Sequence, residues 1–372
     1  MRVLLDATAV PADRGGVGRY VDALVPELVR GGVDLVVACQ EHDAELMAGL
    51  AAVEVVPVPG MASRGRRFAW EQTGLPRLVR RTRAELVHSP HYTMPLAAGV
   101  PVVVTLHDAT FFSLPHLHTA AKRAFFRTWT RASVRRAAAV VVPSIATRDE
   151  VRRYAGGRES AFHVAYHGVD VGRFHPVGPE ELERVRAALD LAPGERYVAF
   201  LGTLEPRKNV PALVRAWVAA VTELPAPPAL LLAGGPGWDP EVDPALARVP
   251  AGLRVQRLGY LPLEDLAGYL AGAVVVAYPS LGEGFGLPVL EAMACGAPVL
   301  TTRELSLPEV GGDAVAYCDP DTDSIRVALG ALLDDPGRRD ALAAAALSRA
   351  AGFTWERAAA AHVEAYRAAL TN

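Results

Sequence analysis

Short runs of β-branched and aliphatic residues alternate with longer stretches of helical periodicity along the chain. VLLDAT near the start, VDLVVAC at 33–39, VEVVPV at 53–58, PVVVTLH at 101–107 and AVVVPS at 139–144 read as strands. Their apolar positions are contiguous rather than alternating, which predicts strands buried on both faces in a parallel sheet covered by helices. The rhythm restarts at YVAFLG (197–202) and continues through ALLLAGG (229–235), RVQRLG (254–259), AVVVAYPS (273–280) and APVLTT (297–302). Two doubly wound α/β domains are expected, over residues 1–172 and 178–354. Between them FHVAYHGVDVGRFHPVGPEE carries glycines and prolines and then opens a charged helix, placing the boundary near 170–180. The last helical pattern, at 355–370, follows the second sheet and is expected to pack back onto the first domain.

Composition narrows the class. At 51% hydrophobic and 21% charged residues the chain can build packed interiors, which excludes a disordered protein. Cys39, Cys295 and Cys318 lie far apart without CxxC pairing, so neither a disulfide framework nor a cysteine zinc site is supported, and a reducing cytoplasm fits. The start, MRVLLDATAV, lacks the apolar stretch of a signal peptide, and the uncharged run Leu266–Gly282 is broken by Gly268, Gly272 and Pro279. The net charge of −3 hides an asymmetry: residues 1–175 hold 22 Lys+Arg against 16 Asp+Glu, and the remainder 16 against 25. A basic first half points to an anionic partner, a phosphorylated acceptor or a membrane surface, and is too sparse for nucleic acid. Arginine supplies nearly all the positive charge; the only lysines are Lys122 and Lys208.

Candidate chemistry concentrates in the second half. In the stretch 273–302 a strand leads into a turn holding Gly282, Gly284 and Gly286, and Pro288 sits where a helix begins, so backbone amides converge on a spot suited to phosphate. Glu291 is the one charge between Phe285 and Thr302. Either it faces solvent, or two ribose hydroxyls satisfy its oxygens. Glu283 lies in the loop itself, either as an ordinary loop carboxylate or in reach of sugar hydroxyls and of charge developing on the ring. In YVAFLGTLEPRKNVPALVRAW (197–217), Gly202 ends a strand, and Arg207 and Lys208 follow at the C-terminal edge where α/β sheets bind ligands. A guanidinium beside an ammonium could neutralise a departing diphosphate; the plain alternative is a solvated helix start.

The first half offers less. Gly15, Gly16 and Gly18 read as a flexible loop before a helix, but Val21 leaves the dinucleotide fingerprint incomplete and there is no GK[ST] loop. His107 and Asp108 end a buried strand, placed either to meet a sugar or to serve the fold. Arg123, Arg127, Arg131 and Arg135 recur every four residues with Phe125, Phe126 and Trp129 interleaved, as a membrane-facing stripe or as the solvated face of a core helix. Asp319, Asp321 and Asp323 form two DxD patterns, for which capping and turn formation is the expected use rather than metal binding.

In order, GGVGRY, TLHD, VVPS, HGVD, GTLEPRKN, LAGG, LGYLP, EGFGLPVLE, LPEVGGDAVAYCDP and FTW resemble glycosyltransferase family 4, the retaining sugar-nucleotide transferases of the GT-B fold, over nearly the whole chain. EGFGLPVLE and GTLEPRKN carry the specificity of that match. The resemblance implies two Rossmann-like domains facing a central cleft. It also implies donor ribose on Glu291, donor sugar on Glu283 and the backbone of Gly284, Phe285, Gly286 and Leu287, and diphosphate on Arg207 and Lys208. Gly202, Thr203, Tyr260 and Leu261 would line the rest of the donor site, the Gly15–Gly18 loop would border the acceptor, and His107 would lie near the transferred sugar. Thr203 stands where many members have Arg. The LEPRKN version resembles mannosyltransferase-like members, which favours GDP-mannose over a UDP-sugar. The implied reaction is retaining hexosyl transfer to a glycan, lipid-linked or small-molecule hydroxyl, without metal or cofactor, the leaving diphosphate helping to deprotonate the acceptor. A cytoplasmic protein, with possible peripheral contact to an anionic membrane, is expected. The rivals are a metal-dependent transferase using the DxD cluster, a nicotinamide dehydrogenase, and a non-catalytic sugar-nucleotide-binding protein.

Overall fold

In the computed structural model, which describes residues 1–11 and 14–371, strand β1 (Arg2–Asp6) sends Val3 and Leu5 into one apolar layer and Leu4 into another. It is an interior strand, third in order, of a seven-stranded parallel sheet completed by β2 (Asp34–Gln40), β3 (Glu54–Val58), β4 (Leu86–Ser89), β5 (Val102–Thr105), β6 (Ala139–Val142) and β7 (Phe162–Val164), in the order β3-β2-β1-β4-β5-β6-β7. One face is covered by the helices Gly15–Arg30 and Trp355–Thr371, through Leu24, Leu28, Ala358 and Tyr366; Leu75, Leu78 and Val79 of the helix Arg64–Thr82 cover the other. These elements make up unit 1, Met1–Gly168 together with the segment from Thr354 onward, and unit 2 is Val169–Phe353. Neither β4 nor β7 is among the expected strands. LVHS holds two polar residues in four, and FHV is a three-residue edge, so neither makes an apolar run.

His88 of β4 belongs to a buried chain of hydrogen bonds that fixes the terminal helix. His362 Nδ1 donates to the Ala358 carbonyl at 2.7 Å, so its Nε2 accepts from the Tyr20 hydroxyl at 2.6 Å. Tyr20 then accepts from Thr105 at 3.0 Å, Thr105 accepts from His88 Nε2 at 2.8 Å, and Tyr366 donates to His88 Nδ1 at 2.8 Å. The carbonyl can only accept, which sets the direction of every later donor with all groups neutral. All five side chains are buried, so a break anywhere strands a polar group away from water.

Two expectations for unit 1 are corrected. Gly15, Gly16 and Gly18 form the first turn of the helix Gly15–Arg30 rather than a loop. Arg14, which precedes it, is pinned by Asp22 and by Asp43 at 2.7 Å. A Cβ on Gly18 would lie 2.8 Å from Arg14 Cβ, so close approach is what this glycine provides. The arginine stripe lies on the helix Ala120–Arg136, but Arg127 Nε donates to the Phe111 carbonyl at 2.7 Å and Arg131 Nε to that of Tyr154 at 3.4 Å. Both guanidinium groups also stack over Phe112, so these two arginines hold neighbouring segments instead of presenting a basic face. No helix among the described residues is long and apolar enough to cross a membrane.

Unit 2 is a six-stranded parallel sheet of β8 (Tyr197–Leu201), β9 (Ala229–Ala233), β10 (Val255–Gly259), β11 (Val275–Tyr278), β12 (Val299–Thr302) and β13 (Ala316–Cys318), ordered β10-β9-β8-β11-β12-β13. The helix Val210–Val221 buries Trp217, whose indole N–H donates to the Pro228 carbonyl at 3.0 Å, and packs on the helix Thr322–Asp334. Strand order reverses between β8 and β11, the position at which open α/β sheets bind ligands beyond the strands' carboxyl ends.

Candidate active site

Pairing of Val275 with Val198 and Val276 with Ala199 sets β11 beside β8, so the loops leaving their C-terminal ends meet. The β8 loop carries Glu205, Arg207 and Lys208; the β11 loop carries Ser280 and Glu283. Glu283 Oε1 accepts from Lys208 Nζ at 2.6 Å, Ser280 Oγ at 2.7 Å and Tyr278 OH at 2.9 Å, and Oε2 accepts from Arg207 Nη1. Arg207 Nη2 donates to Glu205 Oε1 at 2.8 Å, and Lys208 Nζ lies 3.8 Å from the same carboxylate. Lys208 also donates to the Tyr278 hydroxyl. Two cations and two carboxylates therefore close one network at the switch point, with Lys208 only 8% and Glu283 6% exposed.

Electrostatics follow from that packing. Burial alone would raise the Glu283 carboxyl, but Arg207 and Lys208, with donation from Ser280, hold it at about 2. Burial, and next the like charge of Arg207, draws the Lys208 ammonium below the usual lysine range, against the pull of Glu283 and Glu205. Burial, reinforced by the Glu283 charge, pushes the Tyr278 phenol well up and keeps it a donor.

Second contacts hold both loops. Ser306 Oγ lies 2.8 Å from each of the Glu283 and Phe285 carbonyls, and the Leu281 amide donates to the Arg207 carbonyl at 2.8 Å. Asn209 Nδ2 donates to the Pro320 carbonyl at 2.7 Å. Gly286, at φ 106°, precedes the helix Leu287–Ala294, and a Cβ there would meet Leu307 Cδ2 at 2.9 Å. This is the turn in which Gly284, Phe285, Gly286 and Leu287 bring backbone amides to a helix N-terminus. Glu291 is buried on that helix. Gly202 and Thr203 follow β8, where the Leu204 amide donates to the Gly235 carbonyl at 3.0 Å; Tyr260 and Leu261 follow β10, with the largely exposed Tyr260 lying over Gly235.

The sequence-derived site residues of unit 2 thus gather at the C-terminal ends of the strands of one sheet. Glu283, expected either as an ordinary loop carboxylate or in reach of a sugar, has both oxygens engaged by protein donors, because two cations at the adjacent strand end pair with it. The same geometry overturns a solvated helix start for Lys208. Glu205, Tyr278 and Ser280 are not among the sequence-derived residues, although Glu205 stands two residues before Arg207 and the other two lie just before the glycine turn. Asp321 caps the helix Thr322–Asp334, its Oδ1 accepting from the amides of Asp323 and Ser324 at 3.0 Å each. In unit 1, His107 Nε2 donates to the Pro90 carbonyl at 2.9 Å, and burial draws its imidazole pKa down. Asp108 accepts from the amide and hydroxyl of Thr110.

Residues 14–173 match the family described as Glycosyltransferase Family 4, and residues 195–335 match Glycosyl transferases group 1. The O-antigen chain mannosyltransferase B of Escherichia coli is 33% identical over 309 residues, covering 81% of this chain and 77% of that protein. A D-inositol 3-phosphate glycosyltransferase of Rhodococcus opacus is 33% identical over 239 residues, covering 60% of this chain and 52% of that one. Among solved structures, HepE of Anabaena in complex with UDP-glucose superposes with a TM-score of 0.80 at 20% identity, over 99% of both chains. The two Rossmann-like parallel-sheet units have the architecture of the GT-B fold, and the family matches make the chain a glycosyltransferase. The chain belongs to glycosyltransferase family 4.

Proposed function

We propose that the protein transfers mannose from GDP-mannose, with retention of configuration, to a hydroxyl of a glycan, lipid-linked or small-molecule acceptor. The observation that carries this reading is the Arg207–Lys208–Glu283–Glu205 network at the switch point of unit 2. As the anomeric C–O bond breaks, its electron pair passes to the diphosphate. The acceptor oxygen bonds to the same face of the sugar carbon, and its proton goes to the departing phosphate oxygen. Negative charge grows on the diphosphate along this path, so cations fixed in advance lower the barrier. Glu205 and Glu283 act as positioning residues that fix Arg207 and Lys208, and the amides of Gly284–Leu287 add the positive end of a helix. Glu291 takes the ribose hydroxyls. No metal is assigned to this donor site, since Asp321 serves as a helix cap. Acceptor recognition is assigned to unit 1. The mannosyl choice is supported by the LEPRKN motif and by the E. coli mannosyltransferase relative.

The test is a panel of nucleotide sugars assayed for thermal stabilisation and for slow donor hydrolysis. GDP-mannose at a hundred times its Kd should stabilise the fold by about 2.7 kcal/mol and be hydrolysed. Preferential stabilisation and hydrolysis of a UDP-sugar would reject the donor assignment, and stabilisation without turnover of any donor would favour a binding protein. A second measurement addresses Glu291. Glu291→Gln should weaken GDP binding about ten- to a hundredfold, since a hydrogen bond to a charged group contributes ~1.5–3 kcal/mol. Turnover at saturating donor should change little. Unaltered GDP affinity by calorimetry would remove Glu291 from the ribose.

A further inference from the structure

Unit 1 has a strand-order reversal of its own, between β1 and β4. Asp6 ends β1, His91 follows β4, and Glu71 approaches from the helix Arg64–Thr82. We propose that Asp6, Glu71 and His91 form a binding site for a divalent first-row transition-metal ion of the zinc and cobalt class, joining these three segments of unit 1. The proposal is independent of the donor chemistry assigned to unit 2.

The construction of the cluster carries it. Each side chain has one polar atom anchored by protein and the other turned toward a common point. Asp6 Oδ1 accepts from the Thr8 amide at 3.1 Å and its hydroxyl at 2.6 Å, and Glu71 Oε1 accepts from Gln72 Nε2 at 2.9 Å. His91 Nδ1 donates to the Thr93 carbonyl at 3.0 Å, which leaves Nε2 of the neutral ring as a lone pair. An imidazole oriented through its other nitrogen by a carbonyl is the usual support for a metal-ligating histidine. The inward atoms lie close together: Nε2 is 3.6 Å from Asp6 Oδ2 and 3.9 Å from Glu71 Oε2, and all three fall within 4.8 Å of one another. Ligands at ~2.1 Å from one ion lie about 3.4–4.2 Å apart, so only a slight contraction is needed.

The second observation is charge. Asp6 and Glu71 are fully buried, and Asp6 Oδ2 makes no hydrogen bond among the described residues. A buried carboxylate oxygen without a donor is costly, and the two carboxylates have one permanent cation between them, with the His91 ring 3.6 Å from Asp6 Oδ2 and 3.9 Å from Glu71 Oε2. That cation is Arg67, whose Nη1 lies 2.9 Å from Glu71 Oε2 and 3.3 Å from His91 Nε2, and whose Nη2 donates to Thr93 Oγ1 at 3.2 Å. Thr93 Oγ1 also donates to Glu71 Oε2. Arg67 therefore competes for two of the three ligand atoms without reaching the third. Its side chain is 14% exposed where those of Asp6 and Glu71 are at zero, so it can swing outward and they cannot. A dication in its place brings the two carboxylates to neutrality. Imidazole with two carboxylates suits zinc, cobalt or nickel better than magnesium or calcium.

The experiment uses the whole protein, stripped with a chelator and dialysed, then titrated with cobalt(II) chloride while the visible d–d absorption is followed. Equilibrium dialysis with zinc gives the stoichiometry. One ion per chain should bind, Asp6→Asn and His91→Gln should each weaken binding at least tenfold, and Arg67→Met should strengthen it about tenfold. Wild-type protein that binds no cobalt, or binds it as well after Asp6→Asn, overturns the site. If the Asp6 or His91 variants fail to fold, the Arg67→Met titration decides alone, and unchanged affinity there overturns the proposal.

Discussion

Replacing Lys208 by Met should lower turnover about a hundredfold and destabilise unit 2 in the same step. The first effect comes from the leaving group: one preorganised contact to developing charge contributes ~3 kcal/mol, which is a factor of about a hundred. The second comes from Glu283, whose buried carboxylate would lose the ammonium 2.6 Å away and keep only Arg207 as a cation. Removing one partner of such a pair costs about 3–5 kcal/mol, because the remaining charge stays buried without compensation. The two effects separate in the double variant Lys208→Met with Glu283→Gln. It lacks the stranded charge, so it should regain most of the stability while turnover stays low. Denaturation midpoints and rates at saturating donor, measured on both variants, check this. Wild-type turnover in Lys208→Met would remove the leaving-group role, and a double variant no more stable than the single one would show that Glu283 is not what the lysine compensates.

What was legible in the sequence divides along physical lines. Strands buried on both faces write contiguous apolar runs, so β1, β2, β5, β6, β8, β9, β11 and β12 stand out. β4 does not, because His88 lies inside the sheet to serve a hydrogen-bond chain that ends 278 residues later at Tyr366. Residue type and spacing pick out Arg207, Lys208 and Glu283. Their mutual pairing is invisible, since it arises where β11 lies beside β8 although β9 and β10 intervene in the chain. Nor does spacing tell a glycine used for mobility from one used for contact, and Gly18 is of the second kind. Arg127 and Arg131 repeat at helical spacing as a membrane stripe would, but the carbonyls of Phe111 and Tyr154 that take them come from other segments. Asp6, at the end of the VLLDAT run, shares no motif with Glu71 or His91; it meets His91 because β1 and β4 are neighbours, and Glu71 because the helix Arg64–Thr82 packs on that sheet.

Acid should unfold the two units in sequence, unit 1 first. Burial draws the imidazole of His362 down to about 4 and that of His88 well below its ordinary value of 6.5, while the unfolded chain keeps that value. The folded form therefore excludes a proton that the unfolded form takes up, and stability is lost as pH falls below about 6.5, until the folded pKa is reached. Over that window His362 alone would remove at most about 3 kcal/mol, and His88, His107 and His167, also drawn down by burial, act in the same direction. Glu283 in unit 2 behaves oppositely in range. Its carboxyl lies at about 2 against 4.5 when unfolded, so its contribution is complete above 4.5 and is lost only between 4.5 and 2. Hydrogen exchange read by mass spectrometry resolves the units. Peptides from β1, β4 and β5 should lose protection between pH 6.5 and 4.5 while those from β8, β11 and β12 retain it. His362→Gln should be less stable at neutral pH, yet its stability should fall less steeply with acid, by up to ~1.4 kcal/mol per pH unit, because one titrating group has gone. Loss of protection in both units together below pH 4.5, or an unchanged slope in His362→Gln, would show that the buried histidines do not control the acid response.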